Sequence, residues 1–218
     1  MLTGNEILSE NLTDWRLLQR ALHARFRTGD FATGLALVNR IGEAAEAANH
    51  HPDLDLRYPH LDIRLMSHDA GGVTERDIVL ARRISEYAAE AGVAAEPAAV
   101  AMVELALDTA NHEAIEPFWR AVYGLDPQPG TGKDVVDPTG VLPPLWFQPT
   151  ETHETPKQRF HLDVHVPHDQ AEARVEAVLA AGGALVVDAW APNFWVLADS
   201  DGNKACICTW QPPASNAG

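Results

Sequence analysis

Three histidines and two carboxylates in the first half of the chain have the types and spacing for proton transfer. Glu46, His50 and His51 sit at the end of a helical stretch that Pro52 cannot extend. Glu46 and His50 are four apart and so share a face of that helix. Tyr58 opens a hairpin, His68 ends its second strand, and Asp77 falls in the first turn of the next helix. A helix end, a strand end and a helix start that converge on one rim of a small sheet would make a cleft carrying three imidazoles. Imidazole titrates nearest neutrality, so the cleft suits a reaction in which one group takes a proton and another gives one. Plainer readings stand beside this one. A single histidine is most often a surface or satisfied core residue, and His-His-Pro can be a helix stop. A metal is a third option, but no HExxH spacing occurs.

The elements that must position these residues can be read from patterning. Trp15–Leu18 and Leu22–Phe26 are expected as two short strands, the second alternating apolar and polar residues. Asp30 is placed to cap a helix whose apolar face carries Phe31, Leu35, Val38, Ile41, Ala45 and Ala48, ending near His50-His51. Leu61, Ile63 and Leu65 alternate with Asp62, Arg64 and Met66 in a half-wet strand. After the turn Asp69–Gly72, Thr74 and Asp77 form a capping-box pattern opening a helix with Leu80, Ile84 and Tyr87 on one face. Gly92 stops it. Residues 1–92 thus form one unit, the Ala-rich 93–100 a linker, and 101–211 a second unit with a weak internal repeat. In that repeat, strand Glu104–Asp108 precedes a helix from His112 to Tyr123, and strand His161–His165 precedes a helix from Asp169 to Ala181. Strands at Phe194–Ala198 and Ala205–Trp210 flank the turn Asp199–Asn203. Residues 212–218 are expected as a disordered tail.

Composition narrows the function classes. The 218 residues carry 16 Lys+Arg against 31 Asp+Glu, a formal net charge of −15. So acidic a surface repels phosphate backbones and anionic lipids, which argues against nucleic-acid and membrane partners. No apolar run approaches the ~20 residues of a membrane span. The first residues, MLTGNEILSE, lack a basic start and an apolar core, so a cytoplasmic protein is expected. Cys206 and Cys208, two apart on one strand face, read as core thiols rather than a disulfide framework.

The spaced string Glu46-x-x-x-His50-His51-Pro52, then Tyr58, His68 and Asp77, resembles the signature of the pterin-4a-carbinolamine dehydratase family. Its flanks agree at Asp30-Phe31, at Asn49–Asp53 and along Ser67-His-Asp-Ala-Gly-Gly-Val-Thr-Glu-Arg-Asp77. Pro59 stands where the family often has Asn. The resemblance implies a four-stranded antiparallel sheet with helices on one face and a homo-oligomer. It implies dehydration of a 4a-hydroxytetrahydropterin to the quinonoid dihydropterin, with no cofactor required. His50 and His68 would be the acid/base pair and His51 would position the pterin. Glu46, Tyr58 and Asp77 would bind substrate or orient imidazoles. Which histidine donates and which accepts stays open. The family fold also serves in dimerisation partners, so a non-catalytic binding protein is the alternative.

Residues 101–211 resemble the glyoxalase/bleomycin-resistance superfamily. The resemblance rests on Val103–Asn111, Pro117–Trp119 to Tyr123–Leu125, Leu145–Gln148, Arg159–Asp163 and Trp195–Asn203. It implies paired βαβββ modules around a pocket, so the fold class is α+β throughout. Metal-dependent members place ligands on the first and last strands of each module. Glu104 and His161 fall at corresponding positions, each seven residues before a helix entry at Asn111 or His168, with Gln148 and Cys206 near the other two. A divalent metal is thus a candidate cofactor, weakened by a cysteine where a carboxylate is expected. A metal-dependent lyase or oxygenase activity is the second alternative, and a metal-free pocket the plainer one. Trp146, Trp190, Trp195 and Trp210 are expected in the core or pocket wall.

Overall fold

The computed structural model describes the chain except residues 103–104, 127–133, 153–160, 167–170, 210, 212 and 215–218, and the side chain of His165. It divides into two compact units, Met1–Met102 and Val103–Gly218. No helix among the described residues is long and apolar enough to cross a membrane.

The first unit runs α1 (Gly4–Ser9), β1 (Arg16–Leu18), β2 (Ala21–Arg27), α2 (Phe31–Ala48), β3 (Asp53–Arg57), β4 (His60–Leu65), α3 (Glu75–Glu90) and β5 (Ala94–Ala95). The sheet is antiparallel in the order β1-β2-β4-β3, with β5 added beside β2. Alternation along β4 sends Leu61, Ile63 and Leu65 into the core. The opposite face carries cross-strand ion pairs, Arg25 with Asp62 and Arg64 with Asp53. Residues 93–96 are not free linker: Val93 is buried in the core, β5 pairs with β2, and Glu96 N–H donates to the Arg25 carbonyl.

Asp30 caps α2 as expected, accepting from the Thr33 N–H. The buried face, however, is Gly34, Leu37, Ile41 and Ala45, whereas Phe31 and Leu35 remain 49% and 45% exposed. Gly34 is the reason. A Cβ there would lie 2.5 Å from Leu56 Cδ1, so its absence lets α2 settle on β3 with that face inward. Nor does Pro52 end the helix. Asn49 adopts a left-handed conformation (φ 46°), its N–H donates to Glu46 O, and the His50 N–H donates to Ala45 O. This is a Schellman stop.

The second unit repeats one module. The first copy is β6 (Leu105–Thr109), α4 (His112–Tyr123), β7 (Asp134–Val135) and β8 (Leu145–Pro149). The second is β9 (Leu162–His165), α5 (Ala171–Ala180), β10 (Ala184–Val187), β11 (Phe194–Ala198) and β12 (Lys204–Cys208). In each copy the first strand lies parallel to the last, β6 with β8 and β9 with β12. The sheets run β6-β8-β7 and β10-β11-β12-β9. One core joins Phe118, Trp119 and Val122 of α4 to Val175 and Val178 of α5 and to Leu197 and Ile207. The buried Asp199 accepts from Trp119 Nε1 and from Asn203, fixing the β11–β12 turn to α4. Of the four tryptophans expected inside, Trp195 is buried, while Trp190 is 53% exposed and stacks on Phe194. Trp210 lies outside the described residues.

Candidate functional site

Asp77 is the third residue of α3 and is fully buried. The capping box that starts the helix also aims this carboxylate. Oδ2 accepts from the Thr74 N–H at 2.7 Å and from the Ser67 hydroxyl at 2.7 Å. Oδ1 lies 2.7 Å from His50 Nε2. Three elements therefore meet as the spacing suggested: the end of α2 brings His50, the end of β4 brings Ser67, and the start of α3 brings Asp77. The strand end contributes through Ser67 rather than His68. Ser67 bridges back to Gly72, and His68 is the next residue, exposed on the turn those two close.

The Schellman stop also redistributes the two histidines. His50 leaves the helix to reach Asp77 and is 7% exposed. His51, not His50, meets Glu46, with Nε2 3.0 Å from Oε1 on the surface. The shared-face pairing of Glu46 with His50 is thus replaced, because the helix ends two residues before His50. Tyr58 is not brought to this cluster. It is 71% exposed in the β3–β4 turn, whereas His50 precedes β3 and Ser67 follows β4 at the hairpin's other end. Five residues of strand separate those ends, about 17 Å.

A cavity of about 390 Å³ opens between α2 and α3 and has His50 in its wall. Ala44, Ala47, Ala48 and Leu80 make it partly apolar, and Arg76, Arg83 and Glu43 supply charge. That volume lies within the range of small-ligand pockets. Tyr87 also lines it and carries the Arg40 guanidinium 4.1 Å from its ring centroid. Sequence reasoning gave Thr74 a capping role only and gave Ser67, Arg76 and Arg83 no role. Ser67 and Arg76 lie within the segment that carries the capping box, whereas nothing in the pattern marked Arg83.

The second unit holds a different group. Asp163 on β9 and Cys206 on β12 are partners in the parallel pairing. His161 Nε2 lies 3.2 Å from Asp163 Oδ1. The ligand atoms of His161, Asp163 and Cys206 all fall within 4.8 Å of one another. Burial first, then the hydrogen bond and charge of Asp163, pushes the Cys206 thiol up to about 12. The same burial raises Cys208. Of the residues expected to hold a metal, Glu104 lies outside the described residues. Gln148 is exposed on β8, opposite Asp108 of β6, and its amide donates to the Pro149 carbonyl. The donors that do gather are one nitrogen, one oxygen and one sulfur, a set suited to a divalent transition metal. Asp163 was absent from the expected ligands.

Comparison with known proteins separates the two units. Residues 2–87 match the pterin 4 alpha carbinolamine dehydratase family, and residues 104–208 match the glyoxalase-like domain. A protein of Thermomicrobium roseum, named as a candidate pterin-4-alpha-carbinolamine dehydratase, is 42% identical over 81 residues. That alignment covers 37% of this chain and 87% of the relative. One of the same name from Aquifex aeolicus is 41% identical, covering 37% and 82%. Among solved structures, a transcriptional coactivator/pterin dehydratase from Brucella melitensis is 31% identical with a TM-score of 0.38, covering 40% of this chain and 97% of that one. A glyoxalase/bleomycin resistance protein from Albidiferax ferrireducens is 17% identical with a TM-score of 0.39, covering 50% and 98%.

Proposed function

The chain belongs to the pterin-4-alpha-carbinolamine dehydratase family, and from that premise we propose that its first unit dehydrates a 4a-hydroxytetrahydropterin to the quinonoid dihydropterin. The observation that carries the reading is the buried pair His50–Asp77 in the wall of a cavity of ligand size. Two hydroxyls and a backbone N–H already supply donors to Asp77 Oδ2, so the carboxylate acts as an acceptor throughout. The hydrogen between Oδ1 and Nε2 then belongs to His50. A neutral imidazole held this way keeps a lone pair on Nδ1.

In this mechanism His50 Nδ1 takes the proton from N5 of the substrate. The electron pair left on N5 forms the N5–C4a double bond, and the C4a–O bond breaks. The departing hydroxyl takes a proton and leaves as water. His68, exposed on the turn after Ser67, is the donor. His51, braced by Glu46, positions the ring. General acid–base assistance of this kind is worth ~10²–10⁴-fold, about 3–5 kcal/mol of barrier. Chemistry of this type draws on side chains alone. The oligomer expected of the family belongs to the same reading, and the second unit is an accessory of different chemistry.

The test follows dehydration of 4a-hydroxytetrahydropterin by ultraviolet absorbance against a protein-free control, because the intermediate also loses water unaided. His50→Ala and His68→Ala each lower the catalysed rate by ~10²-fold or more. His60→Ala, on β4 beside Asp62, leaves it unchanged. Full activity in the first two variants overturns the mechanism.

A further inference from the structure

We propose that Glu43 reads the pyrimidine edge of the substrate and makes the cavity between α2 and α3 selective for a ring with a 2-amino group. The proposal rests on the dehydration reading, which puts N5 of that ring at His50.

The cavity has two ends. At one, His50 meets Asp77, and at the other Arg40 meets Glu90, so α2 and α3 run antiparallel beside it. Glu43 lines it from α2, roughly two helical turns before His50, which is about 10 Å along the axis. A pterin spans that gap. Its N3 and 2-amino nitrogens lie roughly 4–6 Å from N5, and a hydrogen bond of about 2.8 Å at each end brings the total to about 10 Å. Ala47 and Leu80 lie between the ends and give the flat ring an apolar bed. Tyr87 borders the far end, held by the Arg40 guanidinium 4.1 Å from its ring centroid.

Chemistry then chooses the residue. With N5 at His50, the far edge of the ring presents two donors, N3–H and the 2-amino group. A carboxylate accepts from both with its two oxygens. Glu43 has no hydrogen bond or ion pair among the described residues, so both oxygens are open to a ligand. The other carboxylate at that end, Glu90, is tied to Arg40 at 2.6 Å. The acceptor left on this edge, N1, matches a guanidinium donor, and Arg83 lines the cavity there, 6.0 Å from the Tyr87 ring centroid. A lumazine ring, with oxygen at C2, replaces one of the two donors by an acceptor that faces the carboxylate. Glu43→Gln removes that repulsion, since the amide offers one acceptor and one donor group.

The probes are 6-methylpterin and 6-methyllumazine, whose own fluorescence reports binding to the full chain. Wild type is expected to bind the pterin about tenfold or more tighter than the lumazine. Glu43→Gln loses that preference, and Glu43→Ala weakens the pterin without gaining the lumazine. Far-ultraviolet dichroism confirms that each variant is folded. In the dehydration assay the loss in Glu43→Gln falls on KM rather than kcat, the mark of a contact made equally in the ground and transition states. A pterin-to-lumazine ratio that Glu43→Gln leaves unchanged overturns the assignment, and dehydration by wild type then leaves the parent reading standing. No dehydration by wild type overturns that reading, while the ratio in the variants still decides whether Glu43 reads the ring. Failure of wild type to bind either ring also overturns the assignment.

Discussion

Asp77 is buried with donors on both oxygens, and its first duty is to the fold. Replacing it with asparagine puts an amide N–H among hydrogen-bond donors and leaves at least one of them unpaired. Asp77→Asn is expected to lose about 1–3 kcal/mol of stability, the usual penalty for an unmet buried polar group. It also unties His50 Nε2, so dehydration falls at least about tenfold. Ser67→Ala separates the two duties. It removes one donor and leaves the His50 contact in place, costing about 1 kcal/mol with little change in rate. Urea unfolding and the dehydration assay on both variants check this, and equal rate losses would show that Asp77 acts through the helix start alone. Residue chemistry also predicts inert thiols. With Cys206 pushed up to about 12 and Cys208 raised by burial, little thiolate exists near neutral pH. Iodoacetamide should label both slowly in the folded protein and quickly in denaturant. Rapid native labelling would contradict the burial.

At the scale of elements, the stop of α2 governs where the histidines go. Asn49 sits at φ 46°, a conformation that asparagine tolerates and alanine resists. Asn49→Ala is expected to cost about 1 kcal/mol and to lower dehydration beyond what the stability loss explains, because His50 follows directly. Asn49→Gly should restore both. Loss of activity in the glycine variant as well would mean that the asparagine side chain itself is needed. The sheet makes a second prediction through His23 on β2. Burial first, then the Arg64 charge, lowers its pKa from 6.5, against the weaker pull of Asp62 and Asp53. Its Nε2 finds no hydrogen-bond partner among the described residues. The folded state therefore binds fewer protons there than the unfolded state, and stability drops as pH falls through about 6.5. The acid-induced loss in urea midpoint between neutral pH and pH ~5 should shrink in His23→Gln. These elements also show what a sequence can reveal. Strict alternation made β4 legible, and Thr74 with Asp77 made the start of α3 legible. The face of α2 was not, since Phe31 and Leu35 follow helical spacing as well as Leu37 does. Only the close approach at Gly34 decides between them. The carboxylate of Asp163 was illegible for a similar reason. Its partner Cys206 lies 43 residues on, and only the strand pairing brings them together.

For the whole molecule, a hydrophobic core in each unit predicts two separable stabilities. The first core draws on residues from Ile7 to Val93, and the second on residues from Leu107 to Ile207. The relatives from Thermomicrobium roseum and Aquifex aeolicus are each matched over 81 residues, 87% and 82% of their own length. A chain ending at Met102 keeps β5, which a cut near Gly92 would remove along with Val93 from the core. The 1–102 fragment should therefore fold and dehydrate at the rate of the full chain, while a 1–92 fragment should be less stable, losing a buried valine worth about 1.5–3 kcal/mol. In the full chain, Asp77→Ala should lower one calorimetric transition and leave the other in place. A single transition that moves as a whole would show that the units unfold together.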